Sequence, residues 1–144
     1  MVKVATDSDF DWIYKLHGKN STLLGPPFPA AIRQDLEKGR IIIDDEQQGF
    51  CQYTPMNRNP YSTVHIICVA EEARGKHLAS SFLDYIMDKH DSDIQAVCIK
   101  DTISEKFWSK KGVLTGTKKS KKGTDLCIYQ VENKNKKFVK KKLF

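Results

Sequence analysis

A β-branched run, a glycine turn and an amphipathic segment follow one another without a break in STVHIICVAEEARGKHLASSFLDYIMDKH, residues 62–90. Thr63 to Val69 has the length and composition of a strand. Ala70 to Lys76 is a short polar turn carrying Arg74 and Gly75. From Leu78 to His90 the spacing predicts a helix, because Leu78, Phe82, Tyr85 and Ile86 recur at intervals of three and four. A strand that feeds a helix through such a turn leaves the first backbone N–H groups of the helix without intrahelical partners. Those groups and the helix dipole favour an anion, by about 0.3–1 kcal/mol per charge near the surface. The stretch therefore reads either as a phosphate seat or as an ordinary strand–turn–helix corner. Two phosphate motifs are excluded. ARGKHLASS puts His77 where a P-loop needs Ser or Thr after its lysine, and Gly75 stands alone where a dinucleotide fingerprint needs three glycines.

The surrounding chain is sized for one domain, at 144 residues with 40% apolar content. No apolar run approaches the roughly 20 residues of a membrane span. MVKVATDSDFDW lacks the apolar centre of a signal peptide. The expectation is a cytosolic, cytoplasmic protein with no membrane partner. Cys51, Cys68, Cys98 and Cys127 each fall inside a strand-like run, and none forms a CxxC pair. Metal spacing is absent, so buried free thiols are expected, with a reactive cysteine as the alternative.

The positive charge is local. Residues 133–144 hold six lysines and no acid, so residues 1–132 balance at 18 basic against 18 acidic side chains. This divides the chain into a body, 1–132, and a Lys-rich tail, 133–144. Within the body, Lys106 to Thr124 carries seven lysines and no acid. Such a face steers an anionic partner, nucleic acid or a cofactor's phosphates, or is simply solvated.

Taken in order, Val2 to Ala5 reads as a short strand, and Asp7 or Ser8 caps a helix running to about Gly18. Phe10, Ile13, Tyr14 and His17 share its apolar face, with His17 half exposed at the end. NSTLLGPPFP, residues 20–29, reads as an apolar loop because of its three prolines. Ala30 to Lys38 is a second helix stopped by Gly39. Arg40–Asp44 and Gly49–Thr54 form a hairpin. After residues 62–90 come a strand, Ile94–Ile99, and a helix, Asp101–Lys111, in which Ile103, Phe107 and Trp108 cluster. Gly112 ends that helix, and two strands follow, Val113–Thr117 and Leu126–Val131.

Arg74, Gly75, Lys76, His77, Leu78 and Ala79 resemble the pyrophosphate loop of the GCN5-related N-acetyltransferases (GNAT), whose pattern is Gln or Arg, two residues, Gly, one residue, Gly or Ala. Asp101-Thr-Ile-Ser104-Glu-Lys-Phe107-Trp108-Ser-Lys-Lys-Gly112-Val113 resembles the family's second motif, Asn…Ala…Phe/Leu-Tyr-x-x-x-Gly-Phe. Phe-Trp at this place is similar to a small bacterial and phage subgroup. The order of elements matches the family over almost the whole chain except the tail. The resemblance implies an α/β fold: a mixed, mostly antiparallel sheet with a splayed fourth and fifth strand, flanked by about four helices. It implies an acyl-CoA-dependent N-acyltransferase, with acetyl-CoA as donor and an amine on a small molecule, protein or nucleic acid as acceptor. A homodimer is common in this fold.

By the same resemblance, main chain at Ile67, Cys68 and Val69 pairs with the pantetheine arm. Backbone N–H groups of Gly75, Lys76, His77, Leu78, Ala79 and Ser80 hold the pyrophosphate. His77 occupies the family's glycine position. An ordinary helical backbone tolerates it, whereas φ > 0 there costs stability. Asp101 replaces the cofactor-contacting asparagine, and Trp108 replaces the tyrosine that protonates the leaving thiolate. Trp108 has no useful acidity and packs against pantetheine or core; water, Ser104, Ser109 or Tyr129 remain as proton sources. The family's usual glutamate bases fall on Thr63 and Ala96. His65, on the same strand face as Thr63, is the candidate general base; the alternative is a strand histidine satisfied by a neighbour. The alternative function is nucleic-acid binding or modification through the lysine face and tail.

Overall fold

The computed structural model describes residues 1–58 and 60–135. The tail lysines 136, 137, 140, 141 and 142 lie outside the described residues. Seven strands form one sheet: β1 (Val2–Val4), β2 (Ile41–Asp44), β3 (Gly49–Thr54), β4 (Tyr61–Val69), β5 (Asp93–Ile99), β6 (Val113–Lys119) and β7 (Asp125–Val131). Their order is β1-β2-β3-β4-β5-β7-β6. The β4–β5 pair is parallel, with Tyr61 opposite Asp93 and Val64 opposite Ala96. The β1–β2, β2–β3, β5–β7 and β6–β7 pairs are antiparallel. The helices are α1 (Phe10–Lys19), α2 (Ser21–Leu24), α3 (Pro29–Glu37), α4 (Leu78–His90) and α5 (Ile103–Lys111).

The chain forms two compact units. The first comprises Met1–Thr54 and His65–Tyr85. Its core is Ala5, Ile13, Ile32, Leu36, Ile41, Ile43, Phe50 and Cys68, with Phe10, Trp12, Leu16, Leu24 and Ile66 packed against it. α1 forms because Ile13, Leu16 and His17 fall on one stripe; Thr6 donates its backbone N–H to Asp9, which closes the turn before it. Burying a side chain such as Ile13 stabilises by about 1.5–3 kcal/mol. His17 is 4% exposed, not half exposed. It is drawn in because Nε2 donates to the Gly25 carbonyl at 3.2 Å and the ring stacks on Phe50. The expected loop 20–29 contains the one-turn α2, closed by Gly25 N–H on Ser21 O. The prolines begin only after that turn, so they do not oppose it.

The second unit comprises Pro55–Val64 and the chain from Ile86 onward. Ile94, Ala96 and Cys98 of β5 and Cys127, Tyr129 and Val131 of β7 are buried at alternate positions. Trp108 of α5 is buried and meets Phe107 edge to face at 5.0 Å. Ile103 does not join them; it is 73% exposed, because α5 starts at that residue and places it on the outer side. Asp101 lies ahead of the helix with φ +63, not inside it, because Thr102 is the N-cap. Asn133 donates its N–H to Asp93 and its side-chain amide to Met87 O. All four cysteines are free and buried. No helix among the described residues is long and apolar enough to cross a membrane.

Candidate active site

The corner between β4 and α4 is built by a few close approaches. Gly49 starts β3 directly beneath it; a Cβ there would lie 2.9 Å from Cys68 O and 3.0 Å from Leu78 Cδ2. Ala70 N–H donates to Gln48 O as the chain leaves β4. A single 3-10 turn, Glu71–Ala73, buries Ala73 and brings the chain to Arg74. Arg74 Nε donates to Val69 O at 3.2 Å, and its guanidinium donates to Asn20 Oδ1 at 2.8 Å. Asn20 is itself fixed by donating to Leu16 O. The guanidinium therefore braces the corner against the end of α1.

Gly75 has φ +81 and His77 has φ +64. The His77 backbone is thus in the left-handed region and not the ordinary helical one that a histidine would prefer. Its carbonyl accepts from both Ser81 N–H, at 3.0 Å, and Ser81 Oγ, at 3.1 Å. Ser81 is the fourth residue of α4, so the amides of Leu78, Ala79 and Ser80 precede the first bond of the helix. Arg74, Gly75, Lys76 and His77 are exposed, while Leu78, Ala79 and Ser80 are half-buried. Two glycine-type bends, at Gly75 and His77, lead into the free amides of the helix start, a pattern suited to an anion.

Ile67, Cys68 and Val69 lie past the four residues of β4 that pair in parallel with β5. Cys68 is buried, and burial pushes its thiol up to about 11, so it is no nucleophile. His65 Nε2 lies 2.7 Å from Thr54 Oγ1. Partial burial lowers its pKa, with Asp35 opposing the shift and Arg40 adding to it. His65 is therefore a neutral imidazole at pH 7, oriented by a hydroxyl.

In the second unit Glu105 organises the second motif. Its carboxylate accepts from Asp101 N–H at 2.8 Å and from Tyr129 OH at 2.8 Å, while Thr102 Oγ1 accepts from Glu105 N–H. This reciprocal cap holds Asp101 in its bend. It also pushes the Tyr129 phenol up to about 12 through the hydrogen bond to Glu105. Tyr129 is thereby removed as a thiolate acid, contrary to its place among the proton sources above. Ser109 is engaged with Lys106 O. Lys106, Lys110, Lys111, Lys118, Lys119, Lys121 and Lys122 are all exposed, and Lys119 pairs with Asp125.

The fold brings His65, Ile67–Val69 and Arg74–Ser80 into one unit and places Asp101 and Trp108 in the other. Asn20, Gly49, Thr54 and Glu105 were not anticipated. Glu105 had a readable signal, since Thr102-x-x-Glu105 is a capping box.

No family sequence model and no curated protein sequence matches the chain. Solved structures do. The ribosomal-protein-S18-alanine N-acetyltransferase of Escherichia coli superposes with a TM-score of 0.72 at 10% identity, covering 100% of this chain and 98% of that one. A GNAT-family acetyltransferase from Streptococcus agalactiae gives 0.71 at 17% identity, covering 93% and 96%. Naa20 of Chaetomium thermophilum, in complex with a bisubstrate analogue, gives 0.76 at 11% identity, covering 91% and 85%. The chain has the GNAT fold. The β4–α4 corner contains the residues whose sequence resembles the family's pyrophosphate loop, and α5 lies within the stretch that resembles its second motif. At these identities the superpositions establish the GNAT architecture; the chemistry rests on this chain's own residues.

Proposed function

We propose that the protein is an acyl-CoA-dependent N-acyltransferase that passes an acetyl group from acetyl-CoA directly to an amine. The observation that carries this reading is the left-handed backbone of His77. His77 stands at the glycine position of the resembled motif and takes a glycine-type backbone conformation there. Such a bend costs roughly 1 kcal/mol in a non-glycine residue.

The residues present fit the donor. Amides of Gly75 to Ser80 would hold its pyrophosphate, with Arg74 bracing the loop from behind. Main chain of Ile67, Cys68 and Val69 would pair with its pantetheine arm. Acetyl-CoA, when bound, supplies an acyl group already activated as a thioester. The protein's own part is to orient the amine and remove its proton. His65 would do the latter: Nε2 is held 2.7 Å from Thr54 Oγ1, and the tautomer that donates there leaves the Nδ1 lone pair for the ammonium proton. Trp108 has no proton to give and Tyr129 is engaged with Glu105, so the proton for a leaving thiolate would come from water.

Calorimetry with acetyl-CoA tests the donor claim. The wild-type chain should bind, and Arg74→Glu, which unbraces the loop and adds a repelling carboxylate, should lose affinity by about tenfold or more. Absence of binding by the wild type overturns the reading. For the base, His65→Gln should abolish the acidic limb of the pH–rate profile.

A further inference from the structure

The first unit has a cavity of about 390 Å³ between α1 and the turn after β4, lined by none of the residues from Gly75 to Ser80. That volume suits a small molecule. Trp12, Lys15, Leu16 and Lys19 line it from α1 at spacings of three, one and three, forming one helical stripe. Glu71, Glu72 and Arg74 line the opposite wall. Lys15, Lys19, Glu71 and Glu72 are exposed and make no ion pair among the described residues. Arg74 is held in place by Asn20 and Val69, so its direction is set before anything binds. Three cations and two carboxylates thus face one concavity without neutralising one another.

The arrangement is polarised. Lys19 precedes Asn20, the residue that anchors Arg74, so the basic groups gather at the C-terminal end of α1. Trp12 lies seven residues earlier, about 10 Å away along the helix. Trp12 and Leu16 are half-buried and give the cavity an apolar floor. A simple anion would satisfy the cations and leave the carboxylates facing it. A simple amine would do the reverse. Only a ligand with both charges serves both walls, and a phosphate dianion matches three cations better than a carboxylate does.

We propose that this cavity binds a small phosphorylated amine, its phosphate on Lys15, Lys19 and Arg74, its ammonium on Glu71 and Glu72, and its carbon body on Trp12 and Leu16. The site shares Arg74 with the loop of the acyl-transfer reading, but its test contains no acetyl-CoA and varies only Lys15 and Glu72.

Proton–nitrogen NMR spectra of the full chain give the readout through the Trp12 indole N–H, assigned with Trp12→Phe. The probes are phosphoethanolamine, inorganic phosphate and ethanolamine. Phosphoethanolamine should shift the Trp12 peak saturably, with an affinity about tenfold above that of either half. Lys15→Glu should weaken it by about tenfold, and Glu72→Gln should remove the preference over inorganic phosphate. Both positions are exposed, so folding is not at stake. The proposal fails if no saturable shift occurs, if Lys15→Glu binds as well as wild type, or if inorganic phosphate binds as tightly as phosphoethanolamine.

Discussion

A histidine at φ +64 is held against its own preference. Two bonds from Ser81 to the His77 carbonyl fix the peptide orientation, and the helix behind it cannot shift without losing them. His77→Gly removes the side-chain clash of the left-handed region, and part of the gain is offset by a more flexible unfolded chain. The expected result is a rise of about 0.5–1 kcal/mol in urea unfolding free energy, with acetyl-CoA affinity retained. His77→Val should fall below wild type by about 1–2 kcal/mol, because β-branching is least compatible with φ > 0. Equal stability of all three would contradict the bend. The motif position of His77 was legible in the sequence, but its backbone was not. Side-chain identity argues for an ordinary helical φ, and only the surrounding bonds of Ser81 decide otherwise. The same holds for Tyr129: nothing in its neighbours along the chain reveals that a helix carboxylate 24 residues earlier accepts a hydrogen bond from its hydroxyl.

Among the elements, the junction of α5 and β6 has the least room. Gly112 adopts extended backbone that any residue can take, yet a Cβ there would sit 2.2 Å from Gln130 O of β7. The constraint is contact, not conformation. Gly112→Ala must push β7 aside or unwind the last turn of α5, and it should cost about 2–4 kcal/mol in thermal or chemical unfolding. A loss under about 0.5 kcal/mol would show that the junction yields freely. Gly112 was read as a helix stop, which it is, but its partner across the sheet is not visible from local sequence. Strand and helix periods, by contrast, were largely legible: the Leu78–His90 helix and the Gly49–Thr54 strand have the predicted limits, while β4 begins at Tyr61, two residues earlier than expected, and β6 runs on to Lys119. The short α2 was hidden because prolines that lie beyond it dominate the composition of its segment.

Across the molecule, three histidines resist protonation. Burial lowers the pKa of His17, His65 and His90 below the ordinary value of 6.5. The folded state prefers them neutral, while the unfolded chain protonates them near pH 6.5. Their contribution to stability is therefore complete above pH 6.5 and is lost as pH falls through and below that value. His17 is the sharpest case, since its buried Nδ1 has no hydrogen-bond partner among the described residues and would become a donor without an acceptor. Melting temperatures should decline from pH 7 to pH 5. His17→Gln, which cannot charge, should show a shallower decline even where its stability at pH 7 is lower. Parallel curves for the two proteins would remove His17 from the explanation.

The division of the chain into two units carries an evolutionary consequence. Neither unit is a continuous piece of the gene: the first is interrupted by Pro55–Val64, and the second resumes only at Ile86. β4 and α4 each begin or end in a different unit. A single recombination point anywhere between residues 54 and 86 would cut one unit in two. Such a protein cannot trade its β4–α4 corner for a relative's as a cassette.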